Sequence, residues 1–471
     1  MINHSFQKTE KFLFGFLLFT LFWLPLSLGA NRPWAWALMQ MSVFVIAGLL
    51  TATNKTILES LYSRYRILIF LWLAFLAWQI LTILPLPFDL ISAIRPARVQ
   101  PLLSFTSKGI NDLQWLSLSF DVGQSVITFF KSLAYCFLFF ICLTLVNSAS
   151  RLRLVLITIS AAGIFQAVYG TLEVLLDSGY SIIFNYPVTH IATGSFVYKN
   201  HYANYLMLSL SAAIGYLIAN LYATPNSSKR ERLRRIVKFW LSNKVLFRIG
   251  IIIMVIALVM SRSRMGNTAF FVAMTITATL GLIYFKPKHK SYVALFISML
   301  IIDVLIVSSL FGLKQVQQRL EQTNLAQESR DEVIVDALPL VTEYPILGTG
   351  GGSFYTVFPQ LQSESVQHFY DHAHNEYLQF AIEFGFIGSF LIAAVVAVCI
   401  KQSFLAMRRR RHPLPRGSAF ATLMACIGMA MHSSVDFPLQ APANTATFIV
   451  LLTLGVLSSS LPMQRDSSNK Q

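Results

Sequence analysis

The sequence is poor in charged residues. Asp, Glu, Lys and Arg make up only 12% of its 471 residues, whereas soluble globular domains carry roughly 25%. Hydrophobic residues account for 55% of the chain, so too little charge is present to cover the surface of a soluble fold of this length. The composition excludes disordered, collagen-like and disulfide-scaffold proteins. It predicts an all-α polytopic membrane protein.

Cysteines and the usual metal and nucleotide motifs are also scarce. The four cysteines lie in apolar runs and lack metal-ligand spacing, which favours small packing residues: Cys136, Cys142, Cys399 and Cys426. No Asp-x-Asp pair, His-Glu-x-x-His motif or Walker-type glycine loop is present, so neither a metal nor another cofactor is predicted. The run Gly348–Gly352 lacks the following Lys-Ser/Thr of a phosphate-binding loop and favours a flexible hinge.

The remaining charge is mostly basic, with 37 Lys and Arg against 21 Asp and Glu. In a membrane protein, such an excess first orients the chain, because Lys and Arg collect in cytoplasmic connections. A bilayer-crossing helix needs about 20 apolar residues, and about twelve segments meet this criterion. They lie near Phe12–Ala30, Trp34–Ala52, Ile67–Pro85, Ser125–Val146, Leu154–Leu175, His201–Ala223, Val245–Met260, Asn267–Phe285, Tyr292–Phe311, Asn375–Ile400, Ala419–Val435 and Thr445–Leu461.

Positive charge alternates between the connections of these predicted helices. The basic clusters follow every second helix, at Lys55–Arg66, Arg151–Arg153, Lys229–Lys244, Lys286–Lys290 and Lys401–Arg411. All of them share the side of the N-terminus. The positive-inside rule therefore predicts that both termini are cytoplasmic, and no nucleic-acid partner is expected.

The span pattern divides the chain into four regions. Residues 1–200 hold N-terminal transmembrane helices with external loops, and residues 201–312 hold the central helices. Residues 313–374 form a long, acidic, partly helical external loop, and residues 375–471 hold the C-terminal helices and a cytoplasmic tail. A loop longer than about 15 residues usually carries function.

Polar residues gather at the predicted outer ends of the helices, in four clusters. The densest contains His372, His374 and Asn375, where an imidazole can act as a base or a hydrogen-bond donor or can simply cap a helix. The second contains Arg262 and Arg264, whose guanidinium groups suit bidentate phosphate binding. Alternatively, these two arginines snorkel to the interface.

The other two clusters leave similar alternatives. Lys199, Asn200 and His201 offer a cation and a donor, or form a plain interfacial loop. His432 and Asp436 lie about one helical turn apart, so they either orient each other or cap the helix.

Three ionisable residues fall within or near predicted spans, where burial in lipid is costly and function is the default expectation. These are Lys131, Asp303 and Glu383. Lys131 can also snorkel from the outer end of its helix.

Several stretches resemble the O-antigen ligase and polymerase superfamily of bacterial envelope glycan enzymes. In order they are Gly194–Leu206, Ser263–Asn267, Pro345–Phe358, His372–Gly388 and His432–Asn444. The most specific pattern is His374-Asn375 followed by Leu378, Glu383, Gly385 and Gly388. The first five spans resemble the family only in hydropathy.

The resemblance implies a metal-independent membrane glycosyltransferase of the GT-C type in the bacterial inner membrane, with a periplasmic active site. Its donor would be a glycan on undecaprenyl pyrophosphate, and transfer would invert the anomeric carbon. By resemblance, His374 is the essential histidine, and Arg264 and Arg330 are the arginines that hold the pyrophosphate. The turn reads Ser-Arg-Ser-Arg, so Arg262 competes with Arg264, which Gly266 favours by the family's spacing.

The sequence does not identify the acceptor of the glycan. O-antigen ligation to lipid A-core is the first hypothesis, and repeat-unit polymerisation of O-antigen or exopolysaccharide and oligosaccharide transfer to protein hydroxyls share the same motifs. A transporter of lipid-linked oligosaccharides is the non-enzyme alternative. Transporters typically show repeated halves and ionisable sites at the membrane midplane, whereas this chain concentrates its polar residues at one face.

Overall fold

The computed structural model consists almost entirely of helices. It describes residues 2–54, 56–96, 98–99, 114–177, 179–187, 190–220, 243–285, 330–364, 366 and 369–462, with five single positions between 293 and 301. The helices are α1 (Ile2–Leu26), α2 (Pro33–Thr53), α3 (Ile57–Ile83), α4 (Phe88–Ile94), α5 (Val122–Leu145), α6 (Ala149–Leu176), α7 (Lys199–Ala219), α8 (Asn243–Met260), α9 (Arg264–Tyr284), α10 (Arg330–Glu343), α11 (Phe354–Val357), α12 (Glu376–Arg409), α13 (Pro413–His432) and α14 (Pro442–Ser460).

The helices confirm a multi-pass membrane protein. Ten of those described are long and apolar enough to cross a bilayer, and the apolar segment Phe247–Met260 within α8 is shorter. Eleven of the predicted spans thus coincide with helices. The remaining one, Tyr292–Phe311, lies almost entirely outside the described residues, and so does Asp303.

One end of the bundle, the basic end, is tied together by arginines. Arg64 donates to the carbonyl of Ser460 at 2.8 Å, and Arg410 donates to the carbonyl of Ser459 at 2.7 Å. Arg151 pairs with Glu10 at 2.5 Å and thereby joins the starts of α6 and α1. These guanidinium groups satisfy carbonyls that helix C-termini leave without intrahelical partners.

The opposite end, the histidine end, carries His201, His374 and His432. The helices that begin at this end include α7, α9, α12 and α14, and α13 ends here. Glu376 N donates to the carbonyl of Ser433 at 2.9 Å, and Asn444 Nδ2 donates to the carbonyl of His201 at 3.1 Å. The helix ends that carry the three histidines are therefore held together at one end of the bundle.

Helices α7 and α13 form the centre of the bundle and are almost fully buried. They cross at Gly215 and Gly417. A Cβ added to Gly417 would lie 2.1 Å from the carbonyl oxygen of Gly215, and one added to Gly215 would lie 2.4 Å from that of Gly417. Small residues at such crossings let helix backbones touch, which is the usual basis of helix association in membranes.

Helix α10 and the segment after it pack against the half of α12 that lies toward the histidine end. Their apolar side chains form a second core with Leu378 and Ile382: Val333, Ala337, Leu340, Tyr344, Phe354, Val357, Phe358, Val366 and Ala373. The two-stranded antiparallel sheet, β1 (Pro85–Pro87) with β2 (Trp115–Ser117), pairs Leu86 with Leu116 and lies nearby. The external segments are thus anchored to the bundle.

The sequence favours a flexible hinge at Gly348–Gly352, but the structure packs this run into a break in α12. At Gly385 the helix adopts φ 65° and ψ −177°. The carbonyls of Ile382 and Glu383 accept from Thr349 N at 2.7 Å and Gly350 N at 2.9 Å. A Cβ on Gly385 would lie 2.1 Å from the carbonyl oxygen of Ile346, so glycine is required there.

The cysteines are packing residues, as predicted. All four are buried free thiols, between 0% and 5% exposed. Their burial among apolar side chains matches their position in apolar runs.

We expect Gly417→Ala to destabilise the protein, because the new methyl group would collide with backbone rather than with a movable side chain. Overpacking of this kind costs about 1–3 kcal/mol. Thermal unfolding in detergent, followed by the loss of monodisperse protein, measures the effect. Gly48→Ala in α2 is the matched control, because nothing lies within 4 Å of its added Cβ. Equal midpoints for both variants would contradict the close crossing.

Candidate active site

Phe437 is the centre of the aromatic cluster at the histidine end. Tyr198 stacks on its ring with centroids 5.4 Å apart and an interplanar angle of 7°. Three imidazoles surround the same ring: His372 at 4.4 Å, His374 at 4.8 Å and His201 at 5.1 Å between centroids. One phenyl ring therefore fixes the positions of three histidines that come from two segments far apart in sequence.

The carboxylate of Asp436 is the charge at the heart of this cluster. It is only 1% exposed. Tyr198 Oη donates to Oδ2 at 3.1 Å, Asn200 Nδ2 donates to the same oxygen, and the Phe437 backbone N–H donates to Oδ1 at 2.9 Å. A buried carboxylate with three donors is well satisfied.

His374 faces this carboxylate. Its Nδ1 lies 3.8 Å from Asp436 Oδ1, which is ion-pair distance rather than a hydrogen bond, and its side chain is 14% exposed. Among the described residues, this buried Nδ1 has no hydrogen-bond partner. The residue adopts φ 50°, a conformation that costs energy in non-glycine residues and often marks functional positions. The edges of Tyr370 and Phe437 hold the ring.

Asp436 is ionised at neutral pH. Burial alone would favour its neutral form, but the adjacent His374, the field of His432 and the Phe437 N–H outweigh it and lower the pKa of Asp436 to about 2. A fixed negative charge next to His374 Nδ1 favours the proton on that nitrogen and leaves Nε2 available as an acceptor.

His432 and His201 lie in a deeper, buried layer. His432 Nδ1 contacts Asn204 Nδ2 at 3.2 Å, and His201 Nε2 contacts the Phe437 carbonyl at 3.2 Å. One of the two alternatives predicted from the sequence was that Asp436 and His432 orient each other. Among the described residues, His432 bonds Asn204 instead, and the carboxylate of Asp436 pairs with His374. The imidazoles of His432 and His201 both interact electrostatically with the carboxylate of Asp436.

Helix α12 supplies a row of buried polar side chains under the cluster. Glu376 accepts from Leu439 N and from Gln440 Nε2, both at 2.9 Å. This pair of bonds holds the segment after Phe437 against the start of α12. One turn further, Gln379 bonds Glu383 at 3.0 Å, and Gly352 N donates to the other oxygen of Glu383 at 2.8 Å. Asn375 caps the helix by accepting from Leu378 N at 3.1 Å.

The predicted cations lie at the histidine end but outside the cluster itself. Arg262 and Arg264 are exposed in the turn before α9. A Cβ on Gly266 would lie 2.6 Å from Ala203 Cβ, so this turn adjoins the first turns of α7, where half-buried Lys199 lies. Arg330 begins α10, and its side chain lies outside the described residues.

Two further cations at this end escaped the sequence analysis. Arg95 is buried and donates to the carbonyls of Leu118 and Gly348, both at 2.6 Å. Burial lowers its pKa to about 10. Arg98 stacks over the ring of Phe120 at 4.8 Å. These contacts fasten the loop after α4 to the segment after α10.

Lys131 and Glu383, the two described residues among the three ionisable ones predicted within or near spans, have partners. Lys131 lies over the ring of Trp36 at 5.2 Å. With Glu383 it lines a largely apolar cavity of about 170 Å³ between α3, α5, α12 and α14. Glu383 is bonded by Gln379 and Gly352, as described above. Both residues thus sit at the polar edge of an apolar space.

The sequence analysis also missed Tyr198, Phe437 and Gln379 as site residues. Tyr198 and Phe437 read as ordinary interfacial aromatics, because their contact depends on two segments separated by more than two hundred positions. For Gln379 a signal exists: it lies four residues before Glu383 on one helix, a spacing at which side chains meet.

The fold and this cluster define a multi-pass, all-α membrane protein with its polar groups gathered at one end. Residues 249–393 match the family described as O-Antigen ligase. The match confirms the predicted resemblance to the O-antigen ligase and polymerase superfamily, a GT-C-like family. It covers Arg264, Arg330 and His374. Comparison with curated proteins gives no match.

We expect Asp436→Asn to lower the free energy of unfolding by about 2.6 kcal/mol at neutral pH, the equivalent of the carboxyl pKa being lowered from about 3.9 to about 2. A depressed carboxylate pKa stabilises the fold above the unfolded value and loses this effect as pH falls through about 2. The deficit should therefore be present at both pH 5 and pH 8, measured by thermal unfolding in detergent. A deficit that disappears at either of these pH values would contradict the assignment.

Proposed function

We propose that this protein transfers a glycan from undecaprenyl pyrophosphate to an acceptor hydroxyl at the periplasmic face of the bacterial inner membrane. The observation that carries the proposal is the pairing of His374 with the ionised, fully buried Asp436 at the histidine end. The match of residues 249–393 to the O-Antigen ligase family supports the class of reaction and its lipid-linked donor. No cofactor enters this mechanism.

His374 acts as the general base. With its Nδ1 side facing Asp436, Nε2 accepts the proton of the acceptor hydroxyl as that oxygen attacks the anomeric carbon. The bond from this carbon to the pyrophosphate oxygen breaks, the electron pair leaves with the lipid pyrophosphate, and the configuration inverts. The resulting imidazolium lies 3.8 Å from a carboxylate, which stabilises it.

Arg264 and Arg330 hold the pyrophosphate, and Arg262 and Lys199 add positive charge around it. The negative charge on the leaving group grows as the sugar–phosphate bond breaks, so these cations act most strongly in the transition state. The exposed turn at the start of α9 supports this role, because a helix N-terminus adds backbone N–H donors and a positive dipole. Asn200, His201, His372, Asn375, His432 and Asp436 shape the remainder of the substrate site.

The proposed orientation of the protein in the membrane follows from the distribution of its positive charges. The basic end carries Arg64, Arg151 and Arg410, which the positive-inside rule assigns to the cytoplasm together with both termini. The histidine end then faces the periplasm, where the lipid-linked donor is presented. Within this frame, residues 313–374 form the periplasmic segment between the central and C-terminal helices.

We expect His374→Ala to reduce transfer by about 10²–10⁴-fold, the usual contribution of a general base. Transfer from a purified lipid-linked glycan, measured with protein in nanodiscs, tests this expectation. His190→Ala is the matched control, because this exposed histidine pairs with Asp177 in the loop after α6. Full activity of His374→Ala at normal protein level would overturn the mechanism.

We expect Arg264→Ala to abolish transfer and Arg262→Ala to have a smaller effect. The control is Arg408→Ala, which removes an equally exposed guanidinium at the basic end. The same nanodisc assay measures all three variants. If Arg262→Ala is the more damaging change, the pyrophosphate contact belongs to Arg262.

The acceptor is best identified by deleting the gene and separating envelope glycans on a gel. We expect uncapped lipid A-core with accumulation of free polymer, the outcome of lost O-antigen ligation. Loss of long chains alone would instead mark a repeat-unit polymerase. Unchanged lipopolysaccharide with unglycosylated envelope proteins would mark a protein oligosaccharyltransferase.

A further inference from the structure

Gln379 connects three parts of the site through one side-chain amide. Its Oε1 accepts from Ala373 N at 3.3 Å. Its Nε2 lies 3.0 Å from Glu383 Oε1 and 3.1 Å from His372 Nδ1. The amide is 1% exposed, so water does not compete for these contacts.

The orientation of this amide is determined by its neighbours. A backbone N–H can only donate, so the atom next to Ala373 N must be the carbonyl oxygen of Gln379. The NH₂ group then faces Glu383 and His372. An amide nitrogen has two hydrogens, and these two acceptors use both of them.

This count leaves one protonation pattern for His372. Its Nδ1 must accept the second hydrogen of Gln379 and therefore carries no proton. A neutral imidazole carries one N–H hydrogen, which must then lie on Nε2. That nitrogen lies 4.0 Å from Oδ2 of Asp371, whose side chain is 70% exposed, so it faces the open side of the cluster.

We propose that Gln379 is a positioning residue that fixes His372 as a neutral imidazole donating through Nε2 into the substrate site. The inference rests on the proposed function for its chemistry: His372 donates to a sugar or phosphate oxygen while His374 takes the proton. The two adjacent histidines then have opposite roles, and each is set by a buried neighbour.

The surroundings of His372 agree with a neutral ring. Burial lowers the pKa of His372, although the carboxylate of Asp371 opposes this shift. The titratable side chains that interact with it are those of Asp371, His374, Lys131 and His201, and Glu383 lies beyond Gln379. If Nδ1 were protonated, its N–H would face the NH₂ group of Gln379, and two donors would oppose each other. The amide cannot flip to relieve this, because it would lose its hydrogen bonds to Ala373 N and Glu383 Oε1.

The direct test is ¹⁵N NMR of histidine-labelled protein in nanodiscs without substrate, with the His372 signals assigned by difference from His372→Gln. We expect Nδ1 to be unprotonated and Nε2 to be protonated from pH 6 to pH 8. A proton on Nδ1 in the native protein, as the other tautomer or as imidazolium, would overturn the proposal. Because no transfer is measured, this result is independent of whether the proposed reaction is correct.

Gln379→Glu supplies the second readout. Its carboxylate lacks the two hydrogens, so we expect Nδ1 of His372 to become protonated, with transfer reduced about tenfold or more and its pH profile changed. Gln440→Glu is the matched control: it makes the same change beside the buried Glu376 without contacting His372. An unaltered His372 spectrum in Gln379→Glu would contradict the proposal, as would an equal change in Gln440→Glu.

Should Gln379→Glu fail to fold, Gln379→Met preserves the volume and removes both donors. We then expect His372 to lose its single tautomer and to populate both neutral forms. Retention of the native spectrum in this variant would show that Gln379 does not set the tautomer.

Discussion

The site depends on the close antiparallel packing of α7 against α13, which extends from Gly215 and Gly417 near the basic end to Asn204 and His432 at the histidine end. Because the two helices run antiparallel in contact, the start of α7 and the end of α13 meet at the histidine end. Asn200 and His201 on one helix are thereby brought to the segment that follows the other, where Asp436 and Phe437 lie. Wider spacing would separate the carboxylate from its donors and leave a buried charge without compensation, which is strongly unfavourable.

Buried polar groups along α12 find hydrogen-bond partners in other segments of the chain. Backbone that leaves helical geometry inside a bilayer must be covered by protein and must find partners. The break at Gly385 meets this demand, since the glycine run of the external segment and the indole of Trp78 bond the carbonyls that precede it. Glu383 uses the same run, through Gly352 N. The site is therefore built on a rigid, irregular segment rather than on a flexible loop.

Much of the fold was predictable because lipid permits few solutions. A run of about 20 apolar residues specifies a spanning helix, and alternating Lys and Arg specify its direction. The site was predictable only in part. His372, His374, Asp436 and Asn200 could be singled out because polar residues at helix ends are conspicuous in an apolar chain. Their partners could not, since Tyr198 and Phe437 do not stand out from the many other aromatic residues of the sequence.

Local hydropathy and charge specify the helices and the end of the bundle at which polar residues gather, so both could be predicted from the sequence alone. The pairing of Asp436 with His374 rather than with His432, and the packing of the glycine run, depend on the folded chain. The folded chain also decides which atoms of His372 and His374 face their neighbours. These choices depend on contacts of a few ångströms between distant segments, and no local pattern of residues encodes such distances.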